Sequence, residues 1–219
     1  MDAIECIKTR MSIRKFKPEP VPLNVLMEVI DAAKWSPSYK NSQPWEALIV
    51  SGEKKEALSK ILLELLEKGV EPCPDIPEPP VWPPAVDARI ACLFKTRCEI
   101  FGVDLNSPEI KKKSKAANFS FYGAPHGIFL FQDGALNEWS ILDIGMFAQS
   151  LMLAAHALGL GTVPQAFLTD YAPHVKKCLD IPETKRLVLG LSIGYPDMTS
   201  KANKFRPDRI ETKEIVRVI

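Results

Sequence analysis

Histidine and cysteine, the side chains that most often bind metals or act as nucleophiles, are scarce in this sequence. The chain has three histidines and five cysteines among 219 residues. The cysteine number is odd and no Cys-x-x-Cys pair occurs, so neither a disulfide framework nor a zinc knuckle is indicated. We expect no metal centre, and reduced, mostly packed thiols in a cytoplasmic protein.

Several other signals are missing. Residues 1–10 lack the apolar core of a signal peptide, and no apolar run reaches the length predicted for a membrane span. The net charge is +1, and the densest basic run, "KKKSK" at 111–115, is predicted to be a solvated helix end or loop. No G-x-G-x-x-G fingerprint follows a strand. We therefore expect neither a membrane nor a nucleic-acid partner, nor a Rossmann-type dinucleotide site.

The hydrophobic pattern predicts a single α+β domain spanning residues 1–219, with strands separated by helices in a mixed sheet. Predicted helices cover 2–11, 22–35, 53–69, 87–101, 141–159 and 170–180, and predicted strands cover 46–52, 126–133 and 186–197. The helix at 141–159 is apolar on most of its circumference, which is typical of a central helix or of a subunit interface. The helix at 170–180 is expected to be interrupted near Pro173.

Two segments do not fit regular elements. Residues 70–84 contain seven prolines, which excludes regular helix or central strand, and we expect 70–86 to be an ordered, polyproline-like insertion lying over the body. The tail, 198–219, is polar and extended, but its Ile215, Val216 and Val218 favour burial.

The stretch "RMSIRKF" at 10–16 places three cations, Arg10, Arg14 and Lys15, around Ser12. A guanidinium offers a planar fork of donors that suits a phosphate or a carbonyl–imide edge. Taken alone, the pattern also fits a helix end with solvated arginines.

The stretch "WSPSYKNSQPW" at 35–45 sets Asn41 and Gln43 between two prolines and two tryptophans. Amide side chains pair in both directions with heterocyclic N–H and C=O groups, and proline fixes the backbone that presents them. A helix stop and a turn into the next strand would explain the prolines, but not both amides and both tryptophans.

Two late stretches complete the set. In "GLGTVPQAF", 159–167, glycines let a backbone approach a flat ligand, and Pro164 with Gln165 and Ala166 would present a free N–H. The alternative for this stretch is a helix cap at Gly159. In 194–209, Lys204, Arg206 and Arg209 lie on an extended tail, which could also be a disordered basic tail.

In this order and spacing, the four stretches resemble the FMN-dependent nitroreductases. The resemblance covers an R-x-S-x-R motif at 10–14, a P-S-x-x-N-x-Q-P-W motif at 37–45, the G-L-G-T loop at 159–162 and the C-terminal arginine segment. The "VPQA" loop and the "GYPD" turn are similar to the branch that contains nitrobenzoate-type reductases.

The resemblance implies that the anion met by the basic residues is FMN. Arg10 and Ser12 would meet its phosphate and ribityl end. Arg14 would face flavin N1 and O2 and stabilise the reduced, anionic flavin. Arg206 and Arg209 would bind the phosphate. The residues that the resemblance places around FMN are Arg10, Met11, Ser12, Arg14, Pro37, Ser38, Tyr39, Asn41, Gln43, Pro164, Gln165, Ala166, Lys204, Arg206 and Arg209.

The same resemblance implies a fold and an assembly. The mixed, mostly antiparallel sheet would lie between helices in a three-layer α/β/α arrangement. The protein would be a homodimer with FMN at the subunit interface, residues 37–43 would reach the flavin of the other subunit, and the arm at 198–219 would wrap the partner and add a strand to its sheet.

The reaction implied is ping-pong transfer of two electrons from NADH or NADPH, through the flavin, to nitroaromatics or quinones. No side chain is nominated as an obligate catalytic residue, and His156 is predicted to be a packed core histidine. Two alternatives stay open: a flavin-binding store or sensor without turnover, and the same fold running dehalogenation or flavin fragmentation.

Overall fold

The computed structural model describes residues 2–104 and 106–219, which form helices on both faces of one four-stranded sheet. The helices are α1 (Ala3–Thr9), α2 (Leu23–Ala33), α3 (Gly52–Glu67), α4 (Pro84–Phe101), α5 (Pro108–Phe119), α6 (Glu138–Ala157), α7 (Ala172–Cys178) and α8 (Thr212–Ile215). The strands are β1 (Glu46–Ser51), β2 (His126–Asp133), β3 (Gly161–Gln165) and β4 (Lys185–Gly194).

The sheet has the strand order β1-β2-β4-β3, and all three pairings between these strands are antiparallel. The expectation of a mixed sheet is therefore wrong for the named strands. A parallel contact does occur outside them, as an isolated bridge between Ser12 and Thr162 of β3. This bridge attaches the chain after α1 to an edge of the sheet.

Two hydrophobic cores lie on opposite faces of the sheet, because successive residues of a strand point to opposite sides. Phe129 and Phe131 of β2 belong to the core that includes α3 and α7. Ile128 and Leu130 belong to the core that includes α2 and α6. This alternation confirms the three-layer α/β/α arrangement and explains why nearly all of β2 is buried.

Helix α6 is the central helix of one outer layer. By length and composition alone it would pass as a membrane span. Eight of its residues, among them Ile144, Phe147 and Leu151, are buried in the protein, which accounts for its apolar character. Trp139 and Leu142 are nevertheless largely exposed, although the Tyr39 ring stacks on Trp139 with the ring centroids 5.6 Å apart.

Three sequence-based boundaries are corrected. The run at 111–115 lies inside α5, a helix that the hydrophobic pattern did not predict. Pro173 does not interrupt α7 but stands in its first turn, where the missing N–H costs no helical hydrogen bond. Residues 161–165, read as a loop, form the edge strand β3.

The proline-rich segment is ordered where Asp75 anchors it. Leu187 N donates to Asp75 Oδ2 at 2.7 Å, and buried Lys176 contacts the same carboxylate oxygen at 3.0 Å. Tyr171 donates its hydroxyl to Val70 O at 3.1 Å. The first part of the segment therefore lies over α7 and β4, as expected, and its C-terminal end is helical because α4 begins at Pro84.

Two further expectations are only partly met. All five cysteines are free, but only Cys6 is buried, so the thiols are not mostly packed. In the tail, Asn203 and Phe205 are buried against the same chain, whereas Ile215, Val216 and Val218 remain exposed. The part of the tail that does not pack on its own chain is thus shorter than 198–219.

Buried His126, at the start of β2, is held as a neutral ring. Its Nε2 accepts a hydrogen bond from Val21 N at 2.9 Å, so Nδ1 carries the proton and donates it to Ser51 Oγ. Burial, and then the charge of Lys55, lower the pKa of His126 below its ordinary value of 6.5. Protonation would place an N–H against the Val21 N–H, so the folded state resists it.

We predict that this ring makes stability depend on pH. Below about pH 6.5 the unfolded chain binds a proton that the folded chain refuses, so the free energy of unfolding falls by about 1.4 kcal/mol per unit of pKa depression. His126→Gln keeps an acceptor for Val21 N–H. In this variant the free energy of unfolding, measured with urea between pH 5 and 7.5, should depend less on pH.

The unmodified protein, measured in the same buffers, supplies the reference. An unchanged slope in His126→Gln would show that the ring is not the titrating group. The contribution of His156, whose pKa is also lowered by burial and by the charges of Arg10 and Arg206, remains in His126→Gln.

Candidate functional site

The segment 10–14 is fixed between α1 and β3. Arg10 N donates to Cys6 O at 3.0 Å and ends α1, and Ile13 N donates to Thr162 O at 2.9 Å. A Cβ on Gly161 would lie 2.6 Å from the Ile13 side chain, so only glycine permits this close approach. The glycine thus serves the packing of segment 10–14, and the predicted approach to a flat ligand is not what the contact shows.

The alternative for the loop before β3 also holds. Gly159, at φ +77°, follows the last turn of α6 and donates to His156 O at 3.0 Å, while Leu160 N donates to Ala155 O at 2.8 Å. These two bonds form a Schellman cap. The cap directs the chain straight into β3 beside the segment 10–14.

Asn203 joins the C-terminal tail to this segment. Its Oδ1 accepts from Arg14 N at 2.7 Å, and its Nδ2 donates to Lys15 O at 2.7 Å and to Asp197 O at 2.9 Å. All three bonds are to backbone atoms, and Asn203 is buried. The sequence analysis missed this residue, although it stands one position before Lys204 in the basic stretch.

The arginines from both ends of the chain converge in one small cavity. It has a volume of about 80 Å³. Its lining residues are Arg10, Met11, Ser12, Arg14, Leu93, Arg97, Phe205, Arg206, Pro207 and Arg209. We call it the arginine cavity, and it unites the first and last predicted stretches except for Lys204, which is exposed and not among the lining residues.

The charges in the arginine cavity are not compensated. Arg10 Nε and Nη1 are buried and have no hydrogen-bond partner among residues 2–104 and 106–219. Burial, and then the positive charges of Arg209 and Arg206, lower the pKa of Arg10. Buried charged donors without acceptors are costly, so this set of donors is suited to an anion. A phosphate monoester fits this donor set, and so the residues present fit the phosphate of FMN.

Arg97 of α4 is a member of the cavity that the sequence did not reveal. Its Nε is also buried without a hydrogen-bond partner in the described part of the chain. Burial, and then the charge of Arg14, lower its pKa. No motif surrounds Arg97, so only the packing of α4 against the two ends of the chain could identify it.

His156 lies beside this region and is not a packed core histidine. It is partly exposed, its Nε2 is 2.9 Å from Thr9 Oγ1, and it lines a second cavity of about 360 Å³ together with Arg10 and Met11. Burial, and then the charges of Arg10 and Arg206, lower its pKa. Its ring therefore feels the same positive field as the arginine cavity.

The second predicted stretch lies elsewhere on the chain. Tyr39 N donates to the Asp143 carboxylate of α6 at 3.2 Å, and Gln43 N donates to Ser38 Oγ at 2.9 Å. Asn41 and Gln43 are exposed and adopt positive φ angles. The described residues that line the arginine cavity include none from 37–43, so one chain does not bring Pro37, or the rest of this stretch, to the arginines.

The third stretch is divided between core and surface. Pro164 and Ala166 are exposed, whereas the Gln165 side chain is buried and bonded within the protein. Its Nε2 donates to Asn118 O at 3.0 Å, and its Oε1 accepts from Ser192 Oγ. Any contact of Gln165 with a cofactor is thus limited to its backbone.

Comparisons with known proteins show which family this chain belongs to. The profile described as the nitroreductase family matches residues 7–195. The chain belongs to the nitroreductase family. The match covers three of the four stretches and ends before the tail that carries Arg206 and Arg209.

Individual members are similar over almost the whole chain. A 4-nitrobenzoate reductase of Pseudomonas putida is 30% identical over 212 residues, which cover 93% of this chain and 89% of the relative. The nitroreductase NfnB of Mycolicibacterium smegmatis is 32% identical over 213 residues, covering 96% and 90%. The crystal structure of the FMN-dependent NfnB from Mycobacterium smegmatis, in complex with NADPH, superposes with a TM-score of 0.94 at 30% identity, covering 99% of this chain and 97% of that one.

We predict that Asn203 is a positioning residue for this nitroreductase's arginine cavity. Asn203→Ala would remove three part-buried hydrogen bonds; Lys15 O and Asp197 O keep bonds from Asp197 N and Ser200 N, whereas Arg14 N loses its acceptor, a loss worth about 1–3 kcal/mol. We expect a lower melting temperature and FMN binding weakened by about tenfold or more, measured by thermal denaturation and flavin fluorescence titration.

Exposed Asn24 of α2 provides the matched control. Asn24→Ala should change neither quantity. If Asn203→Ala lowers the melting temperature but leaves FMN affinity intact, the bonds of Asn203 stabilise the fold without positioning the arginines.

Proposed function

We propose that this protein is an FMN-dependent oxidoreductase that takes electrons from NADH or NADPH and reduces electron-poor acceptors, namely nitroaromatics and quinones. The observation that carries the proposal is the convergence of five arginines in one cavity, where Arg10 and Arg97 have buried donor atoms without a hydrogen-bond partner among the described residues. Membership of the nitroreductase family gives that anion an identity.

Each residue of the cavity has a proposed role. Arg10, Arg206 and Arg209 hold the phosphate, because all three line the arginine cavity and the positive charges of Arg209 and Arg206 act on Arg10. Arg14 lies beside the pyrimidine edge and stabilises negative charge there. When bound, FMN supplies the two-electron chemistry, so the protein has to bind and orient it, tune its electronics and limit access of water.

We further propose that the active unit is a homodimer with a shared site. The separation of segment 37–43 from the arginine cavity supports this, because a second chain can bring Ser38, Asn41 and Gln43 to it. Exposed Trp139 and Leu142 on α6 provide an apolar surface for association. The exposed end of the tail would cover the partner and add a strand to its sheet. A cytoplasmic location suits five free thiols.

Anaerobic reduction tests the function and separates the two roles of the arginines. The protein should release FMN on denaturation, bleach with NADH or NADPH, and regain its colour with 4-nitrobenzoate or a quinone. Arg14→Ala should lower the midpoint potential of bound FMN by roughly 30–60 mV, and Arg14→Lys should recover part of this shift because the charge remains.

Arg206→Ala is the matched comparison, since it should weaken FMN binding and leave the potential of the bound flavin nearly unchanged. If Arg14→Ala weakens only binding, Arg14 belongs at the phosphate. A protein that binds FMN but does not bleach with either coenzyme would be a flavin store, and the proposed enzyme would be excluded.

Two truncations test the role of the tail. Ending the chain after Ile210 removes α8 and the exposed apolar end but keeps Asn203 and the arginines, so the product should be soluble and should dimerise less tightly. Ending it after Asp197 removes Asn203 and Arg206 as well, and should give flavin-free or insoluble protein. Sedimentation and the ratio of flavin to protein report both outcomes; an FMN-replete monomer from the shorter chain would contradict the shared site.

A further inference from the structure

A third cavity, distinct from the arginine cavity and from the one that His156 lines, lies between α4 and α5. Its volume is about 460 Å³, within the roughly 300–1,000 Å³ of small-molecule sites. Phe94 of α4 and Phe167, which follows β3, provide aromatic surface. Arg97 of α4 and Lys111 and Lys115 of α5 provide positive charge.

The balance of charge in this cavity is positive. Lys115 Nζ lies 2.9 Å from the Asp170 carboxylate, and Lys112 Nζ lies 2.8 Å from that of Glu67. Lys111 forms no ion pair with any residue that the structure describes, and Arg97 Nε is buried without an acceptor. Two of the four cations are therefore available to an outside anion, one at the mouth and one at depth.

The position of Arg97 connects this cavity with the proposed flavin site. Arg97 lines both cavities, and the charge of Arg14 acts on it. A molecule in the α4–α5 cavity would therefore lie next to the arginine cavity. Lys115 Nζ also stands 5.1 Å from the centre of the Phe167 ring, so a cation and an aromatic face are presented together.

We propose that the α4–α5 cavity is a substrate subsite for a flat ring that carries an anionic oxygen group, with Phe94 and Phe167 contacting the ring and Arg97 and Lys111 binding the anion. The inference rests on the proposed function, because it assigns the subsite to that enzyme's substrates. Two substrates share this chemistry: an acceptor with an aryl carboxylate, and NADPH with the 2′-phosphate on its adenosine.

Binding of non-reducible probes tests the subsite without requiring turnover. Calorimetry on the protein as purified would compare 4-chlorobenzoate with neutral 4-chlorobenzamide, and adenosine 2′-monophosphate with adenosine. At least one anion should bind more tightly than its neutral counterpart. Arg97→Gln should weaken that anion by about tenfold, and Lys111→Gln by about threefold because Lys111 is exposed, with the neutral probes little affected.

Lys113 supplies the matched control, since it lies on the same helix, pairs with Glu109 and is not among the described lining residues. Lys113→Gln removes the same charge and should change no affinity. A preference for the carboxylate assigns the cavity to acceptors, and a preference for the 2′-phosphate assigns it to the coenzyme.

Three results would overturn the subsite: no preference for either anion, an equal effect of Lys113→Gln and Lys111→Gln, or an effect of Arg97→Gln with none of Lys111→Gln. The last would place the anion in the arginine cavity. Exposed Lys111 can be replaced without threatening the fold, so the test does not depend on Arg97→Gln folding. A protein that shows these affinities but reduces no acceptor would keep the subsite and lose the proposed function.

Discussion

Repulsion among guanidinium groups is the constraint on which the functional part of this fold depends. Arg10 and Arg97 are half-buried near other arginines, and each has buried donor atoms that no described residue satisfies. Such an arrangement is costly for the protein alone. The rest of the structure keeps the charges together in spite of that cost. A helix cap, an edge strand and a buried asparagine hold the backbone so that the charges cannot move apart.

Much of this architecture could be predicted from the sequence, because local signals coincided with the final structure. The periodicity of α2 and α3 and the apolar run of β2 gave correct elements, since these segments bury one or both faces against the sheet. The R-x-S-x-R spacing correctly indicated that Arg10, Ser12 and Arg14 lie together, because residues 10–14 follow directly on a helix end and line one cavity.

The failures have physical reasons. Helix α5 carries few apolar residues on a lysine-rich surface, so its periodicity is weak, and its ends are defined by Pro108 and by packing of Phe119. Arg97 is eighty-seven positions from Arg10 in sequence, and no local pattern links α4 to the chain ends. The role of Asn203 depends on a backbone group 189 residues away in sequence, and the role of Gln165 depends on partners on α5 and β4. Contacts of this range are decided by tertiary structure.

The buried amide of Gln165 has a consequence for how strand β3 is aligned. A five-residue edge strand held on one side could slip by one position, and a slip would turn every side chain to the opposite face. In the shifted alignment Gln165 would lose Asn118 and Ser192, and Pro164 would take its place in the interior. Only one register of β3 lets Gln165, Asn118 and Ser192 form their hydrogen bonds together. This small network therefore stabilises that register over the shifted ones by more than hydrophobic burial alone would. Because Ser12 and Ile13 are attached to the same strand, the register of β3 also determines where Arg10 and Arg14 lie along the edge of the sheet.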